Sequence, residues 1–307
     1  MPAPAQAIFT PDGDLHVPTE LARGPWYPDT QHGSPMLALL ARAIERVPAQ
    51  RPGQITRLTI DLWRAAPMSP VRTVARVVRR GSAVEVLEAD LLAGDEVCAR
   101  ASALRFRLDE IAVPESFDGG AAATPPALPE ANSRFSWSEA TSTNAPENPL
   151  QHALELRPVP GFEQPIAWLR LRVPLVAGEE NSPLVRAAFV SDMTYSVPLM
   201  HAMTRQREAL FRRPFVAINP DTTLNLHRPA EGEWICLDAR ALRAARRGHR
   251  LRAPLRRRRL VRARLAVAAG ARDRSRAGQM ARSALSVGAR RADRVDYRPA
   301  VFSLVVS

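Results

Sequence analysis

Apolar and polar positions alternate through residues 55–63, ITRLTIDLW. That two-residue period marks a strand with one buried face. Similar stretches follow at 72–78, which is rich in Val, at 83–92 (AVEVLEADLL) and at 96–108 (EVCARASALRFRL). Gly81 supplies a hairpin turn between the second and third. The period changes earlier in the chain. Ser34-Pro35 reads as a helix start, because Ser caps and Pro fits the first turn. The apolar run 36–44 then continues to about Val47, before Pro48. It is mostly Ala and Leu with few charges, so the predicted helix is buried on most sides. Residues 1–107 therefore read as strands around one helix.

A Pro-rich linker is expected over 113–150, with GGAAATPP and the polar run SWSEATSTNAPENP. The same order of elements then recurs. Strands are expected at 154–157 and 166–174, and Asn181-Ser182-Pro183 repeats the cap-then-Pro start. This second helix is expected to continue, with interruptions, to about Met203, followed by strands at 214–226 and 233–239. The repetition lies in element order rather than in residue identity. It predicts an α+β fold of two antiparallel sheets, each wrapping a central helix. The expected units are 1–112, the linker 113–150, a second repeat over 151–240, and a tail over 241–307.

The tail changes the picture. All 43 basic residues of the chain are Arg. Residues 241–307 hold 19 of them against three Asp and no Glu, a net charge of +16, whereas residues 1–240 carry −4. A basic tail of this kind usually suggests nucleic acid. Here no aromatic residue precedes Tyr297 and no nucleic-acid-binding module is recognisable, so no specific nucleic-acid partner is expected. Cys98 and Cys236 stand alone in strand-like stretches and read as buried thiols. No basic segment followed by an apolar run opens the chain, and no apolar stretch reaches membrane-spanning length. The expectation is a cytoplasmic protein with no membrane partner, no metal and no cofactor. Nucleophile-elbow, P-loop and dinucleotide signatures are absent.

Four segments together resemble the double-hotdog acyl-CoA thioesterases of the thioesterase II type. They are GPWYPDTQHGSPMLALLARAIE at 24–45, AWLRLRVPL at 167–175, SPLVRAAFVSDMTYSV at 182–197 and FVAINPDTTLNLHRPAEGEWICLDAR at 215–240. The sequence departs from the family at Ser34, where a second Gly is commoner. The resemblance implies a double hotdog acting on acyl-CoA, with water attacking the thioester directly. It also implies a catalytic set of an Asp, a small polar residue and a Gln, all from the second repeat. The Asp falls on Asp192 and the polar position on Asn219, with Thr222 and Thr223 nearby. The Gln belongs to a later strand reading roughly SQSLLV, and no such segment is present.

Taken by their chemistry, these residues divide into roles. Asp192 lies in an apolar stretch, AAFVSDMTY, where a carboxylate needs partners or a purpose, and it could serve as general base. The bland alternative is a capping Asp where a helix breaks near Ser191. Asn219 could hold the same water or the carboxylate, although Asn-Pro-Asp is also a turn signal. Thr222 and Thr223 share a strand and face opposite ways, so only one can line a site; the expected one is Thr222. Gly33 precedes the first helix, where a free N–H can stabilise an oxyanion and a substrate can approach the backbone. His32 stands at the same mouth, and a lone His is more often structural. Gly33 and His32 are the expected substrate-binding pair. His227-Arg228 ends a strand and reads as solvent-facing.

The tail also admits another reading. Every residue type in APLRRRRLVRARLAVAAG, residues 253–270, has a four-fold codon box. Read one base further on, those codons permit HLYDDDGLFGRASQSLLV. That string is a strand, an Asp-Gly turn and a second strand, and it contains the Gln that the family resemblance asks for. A shifted frame beginning near 240–246 would leave the second repeat incomplete, without its last two strands. Three functions stay open at this stage: an acyl-CoA thioesterase with a defective C-terminus, a non-catalytic acyl-CoA-binding hotdog, and a basic-tail nucleic-acid binder. Association into a homo-oligomer is compatible with each.

Overall fold

The computed structural model describes residues 7–25, 27–109, 125–131, 149–161, 165–194, 196–198, 200 and 219–239, and the backbone alone of 263–266 and 301–305. Most of the expected linker and tail therefore lies outside the described residues. The four long strands of the first half are β3 (Gly53–Leu62), β4 (Val71–Arg80), β5 (Val84–Ala93) and β6 (Glu96–Arg107). They wrap α1 (Gly33–Glu45). Alternate residues point at the helix, and Leu58, Ile60, Leu87, Ala89, Leu91, Ala99, Ala101 and Ala103 are buried. The Ala-rich floor leaves room for the Leu-rich wall of α1. Leu37, Leu39, Leu40 and Ile44 are fully buried, each stabilising the fold by about 1.5–3 kcal/mol.

The second half contains β7 (Leu154–Pro158), β8 (Ile166–Leu171), β9 (Asp221–Asn225) and β10 (Ile235–Asp238). A one-turn helix α2 (Leu150–Ala153) precedes β7. Its central helix, α3 (Pro183–Ser191), packs against α1. Ser182 accepts from the Val185 N–H, as the cap-then-Pro start predicts. α3 ends at Ser191, a 3-10 turn follows over Asp192–Thr194, and helical residues recur at 196–198 and 200, which is the interrupted continuation expected; residues 201–203 lie outside the described residues. Ser191 donates its hydroxyl to the Ala188 carbonyl, a local bond that competes with helix continuation.

The two halves form one antiparallel sheet, joined where β3 pairs with β9 from Arg57↔Asn225 to Asp61↔Asp221. The sequence expectation is a second sheet without the family's last two strands, and in the backbone two short tail segments stand in that place. β11 (Ala263–Ala266) and β12 (Val301–Val305) stand between β10 and β9. Ladder hydrogen bonds come from backbone groups that every non-Pro residue carries. The open inner edges of β9 and β10 can therefore recruit tail segments that lack the family's side chains. Two further strands, β1 (Phe9–Asp12) and β2 (Leu15–Pro18), form an N-terminal hairpin absent from the sequence reading. The signal was Asp12-Gly13, and Gly13 takes φ 62° in the turn. This hairpin ties the halves together: the Phe9 N–H bonds the Leu175 carbonyl at 2.8 Å.

Candidate active site at the start of the first helix

The start of α1 differs from its sequence reading. Ser34 is not the cap; His32 is, and Ser34 lies inside the first turn. The Ser34 hydroxyl is thereby freed, and it donates to Asp192 Oδ2 at 3.0 Å. Asp192 comes from the other half of the molecule. It is the C-cap of α3, and the helix break swings its carboxylate onto the N-terminal end of α1. There the helix dipole favours negative charge, whereas the end of its own helix does not.

Four residues surround this carboxylate. His32 Nδ1 lies 3.0 Å from Oδ2, beside the Ser34 hydroxyl. The Asn219 amide donates to Oδ1 at 2.9 Å and to Thr222 Oγ1 at 3.1 Å. Asp192 is 8% exposed and Thr222 fully buried. Burial pushes the Asp192 carboxyl pKa up, but hydrogen bonds from His32, Asn219 and Ser34, with the charge of His32, outweigh it and hold the group below its ordinary value. The fourth neighbour is Gly33. A Cβ there would meet Oδ2 at 2.7 Å and Oδ1 at 3.0 Å. Only the smallest residue lets the carboxylate sit this close to the helix start.

Each candidate residue can now be placed. Asp192, Asn219, Thr222, Gly33 and His32 converge on one cluster at the seam between the halves. Thr223 does not join it; it faces the other side of the sheet and donates to Thr59 Oγ1 at 3.2 Å. Ser34 belongs to the cluster, although the sequence reading made it a cap. The one available signal was its departure from the family's usual Gly. Asn219 Oδ1 is buried and has no hydrogen-bond partner among the described residues. The Gly33 N–H also makes no hydrogen bond among the described residues. The cluster thus holds an ionised carboxylate, an imidazole, an unfilled acceptor and an unfilled helix-start donor. This set suits activation of a small nucleophile beside a polarised carbonyl.

The two cysteines lie elsewhere, free and buried. Among the described residues no helix is long and apolar enough to cross a membrane.

Comparisons with known proteins bear on the family and the fold. The family model for an acyl-CoA thioesterase N-terminal domain matches residues 22–106, and that for the C-terminal domain matches residues 120–253. No curated protein matches the sequence significantly. Among solved structures, a protein from Thermobifida fusca described as a thioesterase II is 13% identical, with 98% of this chain and 95% of that one covered and a TM-score of 0.56. A hotdog-fold protein of unknown function from Alicyclobacillus acidocaldarius is 17% identical, at 85% and 89% coverage and TM-score 0.56. A Novosphingobium aromaticivorans protein described as a thioesterase is 14% identical, at 98% and 99% coverage and TM-score 0.56. At such identities the structures speak for the fold, and the two domain models, in tandem over most of residues 22–253, speak for the family. This chain belongs to the acyl-CoA thioesterase family of hotdog proteins.

Proposed function

We propose that this protein hydrolyses the thioester of an acyl-CoA by direct attack of water at the Asp192 cluster. The carrying observation is convergence: Asp192 and Asn219 from the second half meet His32, Gly33 and Ser34 at the start of α1. In this reading the unfilled Asn219 Oδ1 accepts from the attacking water, and Asp192 supplies the negative end of its hydrogen-bond network. Thr222 fixes the Asn219 amide. The Gly33 N–H faces the developing oxyanion, aided by the helix dipole. No Ser or Cys nucleophile is invoked, and both thiols are buried. The test is release of free CoA thiol from a series of acyl-CoAs of different chain length. Hydrolysis by the chain, lost in Asp192→Ala, is the expected result.

The C-terminal frame bears on how much activity the chain has. β11 runs alongside β10 with Ala266 opposite Cys236, and its Cα atoms come within 8 Å of the Asp192–Thr194 turn. In the frame shifted by one base, position 266 reads Gln. In the frame as written, Ala263–Ala266 offers no amide. This favours a second reading, in which the chain binds acyl-CoA but turns it over slowly. The nucleotide sequence of codons 238–270 tests the shift: a one-base change must open a strand pair that includes Gln. Frame repair should then raise turnover by orders of magnitude without changing ligand affinity comparably.

A further inference from the structure

Asp192 is poorly suited to take a proton. Oδ2 is met by His32 and Ser34, and Oδ1 by Asn219. A general base works best when its pKa lies near the working pH. A carboxylate whose two oxygens already face three partners has little room left to accept a proton from water.

His32 beside it is less enclosed by partners. Its side chain is 13% exposed. Its Nε2 has no hydrogen-bond partner among the described residues. Its Nδ1 is close to two groups at once, 3.0 Å from Asp192 Oδ2 and 3.1 Å from the Ser34 backbone N. These contacts demand different tautomers. To accept from Ser34, Nδ1 must turn a lone pair toward a carboxylate. To donate to Asp192, it must carry a hydrogen. A hydrogen bond to an ionised acceptor is roughly twice as strong as a neutral one. With Asp192 ionised, the donor form wins, and the ring's lone pair is left on Nε2.

We propose that His32, oriented by Asp192, is the group that receives the proton of the attacking water. This rests on the hydrolytic reading above and reassigns the base within it. The water oxygen bonds the thioester carbonyl carbon as one of its O–H bonds breaks and the proton passes to Nε2. The carbonyl π pair moves onto oxygen, toward the Gly33 N–H. The pair then returns, the C–S bond breaks, and the CoA sulfur leaves with its electrons and takes the proton back from Nε2. The products are a carboxylic acid and a thiol, and no further reactant is needed. Asp192 is a positioning residue in this scheme: it fixes the tautomer and steadies the imidazolium formed between the steps, while its own proton count stays unchanged.

Two measurements on the full chain test this. Nitrogen NMR of the histidine rings, with the His32 signal assigned by its loss in His32→Gln, reads the tautomer directly. Hydrogen on Nδ1 is expected, and its loss in Asp192→Asn; hydrogen on Nε2 in the wild type overturns the proposal. In acyl-CoA hydrolysis, His32→Gly should lower kcat by about 100-fold or more with little change in KM. Imidazole added to the buffer should restore at least tenfold of that loss. His32→Gln, which keeps a polar side chain at the helix start, should fold normally, lose similar activity and not respond to imidazole. An active wild type whose His32 variants keep most of their kcat, or whose His32→Gly is not rescued, overturns the base assignment and leaves the hydrolytic reading standing. A wild type silent on every acyl-CoA overturns both, whatever the tautomer.

Discussion

The two halves repeat one plan with unequal completeness. In the first, β3 to β6 have ten to twelve residues and α1 has thirteen. In the second, β7 to β10 have four to six residues and α3 has nine. The longer half supplies rigidity and an unfilled helix start. The shorter half supplies the carboxylate, and does so because its helix stops early. Had α3 run on regularly, Asp192 would lie on its wall; the break at Ser191 lets the residue cross to α1. An incomplete repeat is thus what lets one half complete the other.

The largest expected effect is at that crossing. Asp192→Ala removes the group that His32, Ser34 and Asn219 share. Thiol release from acyl-CoA should fall by about 10²–10⁴-fold, measured as kcat/KM. Loss of activity with an unchanged melting curve would place the role of the cluster in chemistry; equal loss of both would make it a structural pin between the halves.

The buried ion pairs offer a second contrast. In the first half Arg105 is enclosed, donating to Glu85 at 2.7 Å and to the carbonyls of Val47 and Pro48 beyond the end of α1. In the second half Glu155 is held by both Arg157 and Arg170, each at 2.7 Å. Arg105→Met leaves Glu85 only its longer contact with Arg80, at 3.4 Å, and strands two carbonyls, so a loss of about 3 kcal/mol is expected. Arg170→Met leaves Glu155 its other partner, and its cost should be clearly smaller. Urea unfolding of the two variants ranks them, and the reverse order would show that the short half, not the long one, limits stability.

Much of this was readable from periodicity. The strands of the first half and α1 follow from alternation and from an Ala-Leu wall. Asp192 stood out as a charge in an apolar run. What the pattern did not contain was tertiary. A break near Ser191 with a capping Asp was among the readings of the sequence; that the break carries Asp192 to Ser34, 158 positions away, was not. Ser34 reads as a cap because Ser-Pro is a good local start, yet it lies inside the first turn and its hydroxyl is drawn to Asp192. β11 and β12 were unreadable for a different reason, since sheet edges recruit backbone rather than side chains.

Gly33 sharpens the comparison at the seam itself. The Cβ in Gly33→Ala would stand 2.7 Å from Asp192 Oδ2. The carboxylate or the helix start must move, at about 1–3 kcal/mol. The expected result is a melting point lowered by several degrees together with reduced turnover. A variant as stable and as active as the wild type would show that the two halves approach less closely than described.

Acid should loosen the seam as well. The folded pKa of Asp192 lies below its unfolded value, so its ion pairing stabilises the protein in full above about pH 3.9. That contribution declines as pH falls through the unfolded value toward the folded one. Glu179, held low by hydrogen bonds from Arg42 across the same seam, adds to the decline. Asp192→Asn should be less stable than wild type at neutral pH, and its urea midpoint should fall less steeply between pH 5 and 3. Parallel curves for the two proteins would mean that the Asp192 carboxylate gains nothing from its partners on folding.

The smallest effect concerns the thiols, one in each half. Burial pushes the Cys98 thiol up; burial, with Asp238 nearby, pushes that of Cys236 up to about 12. The thiolate is the reactive form, so Cys236 should be inert toward thiol reagents near neutral pH until the protein opens. Cys98 sits on β6 in the longer half and Cys236 on β10 in the shorter one. Their labelling rates in mild denaturant therefore report which half opens first. Faster labelling of Cys236 is expected, because β10 has four residues and β6 has twelve. Simultaneous labelling would mean instead that the seam through β3, β9 and Asp192 makes the halves unfold as one unit.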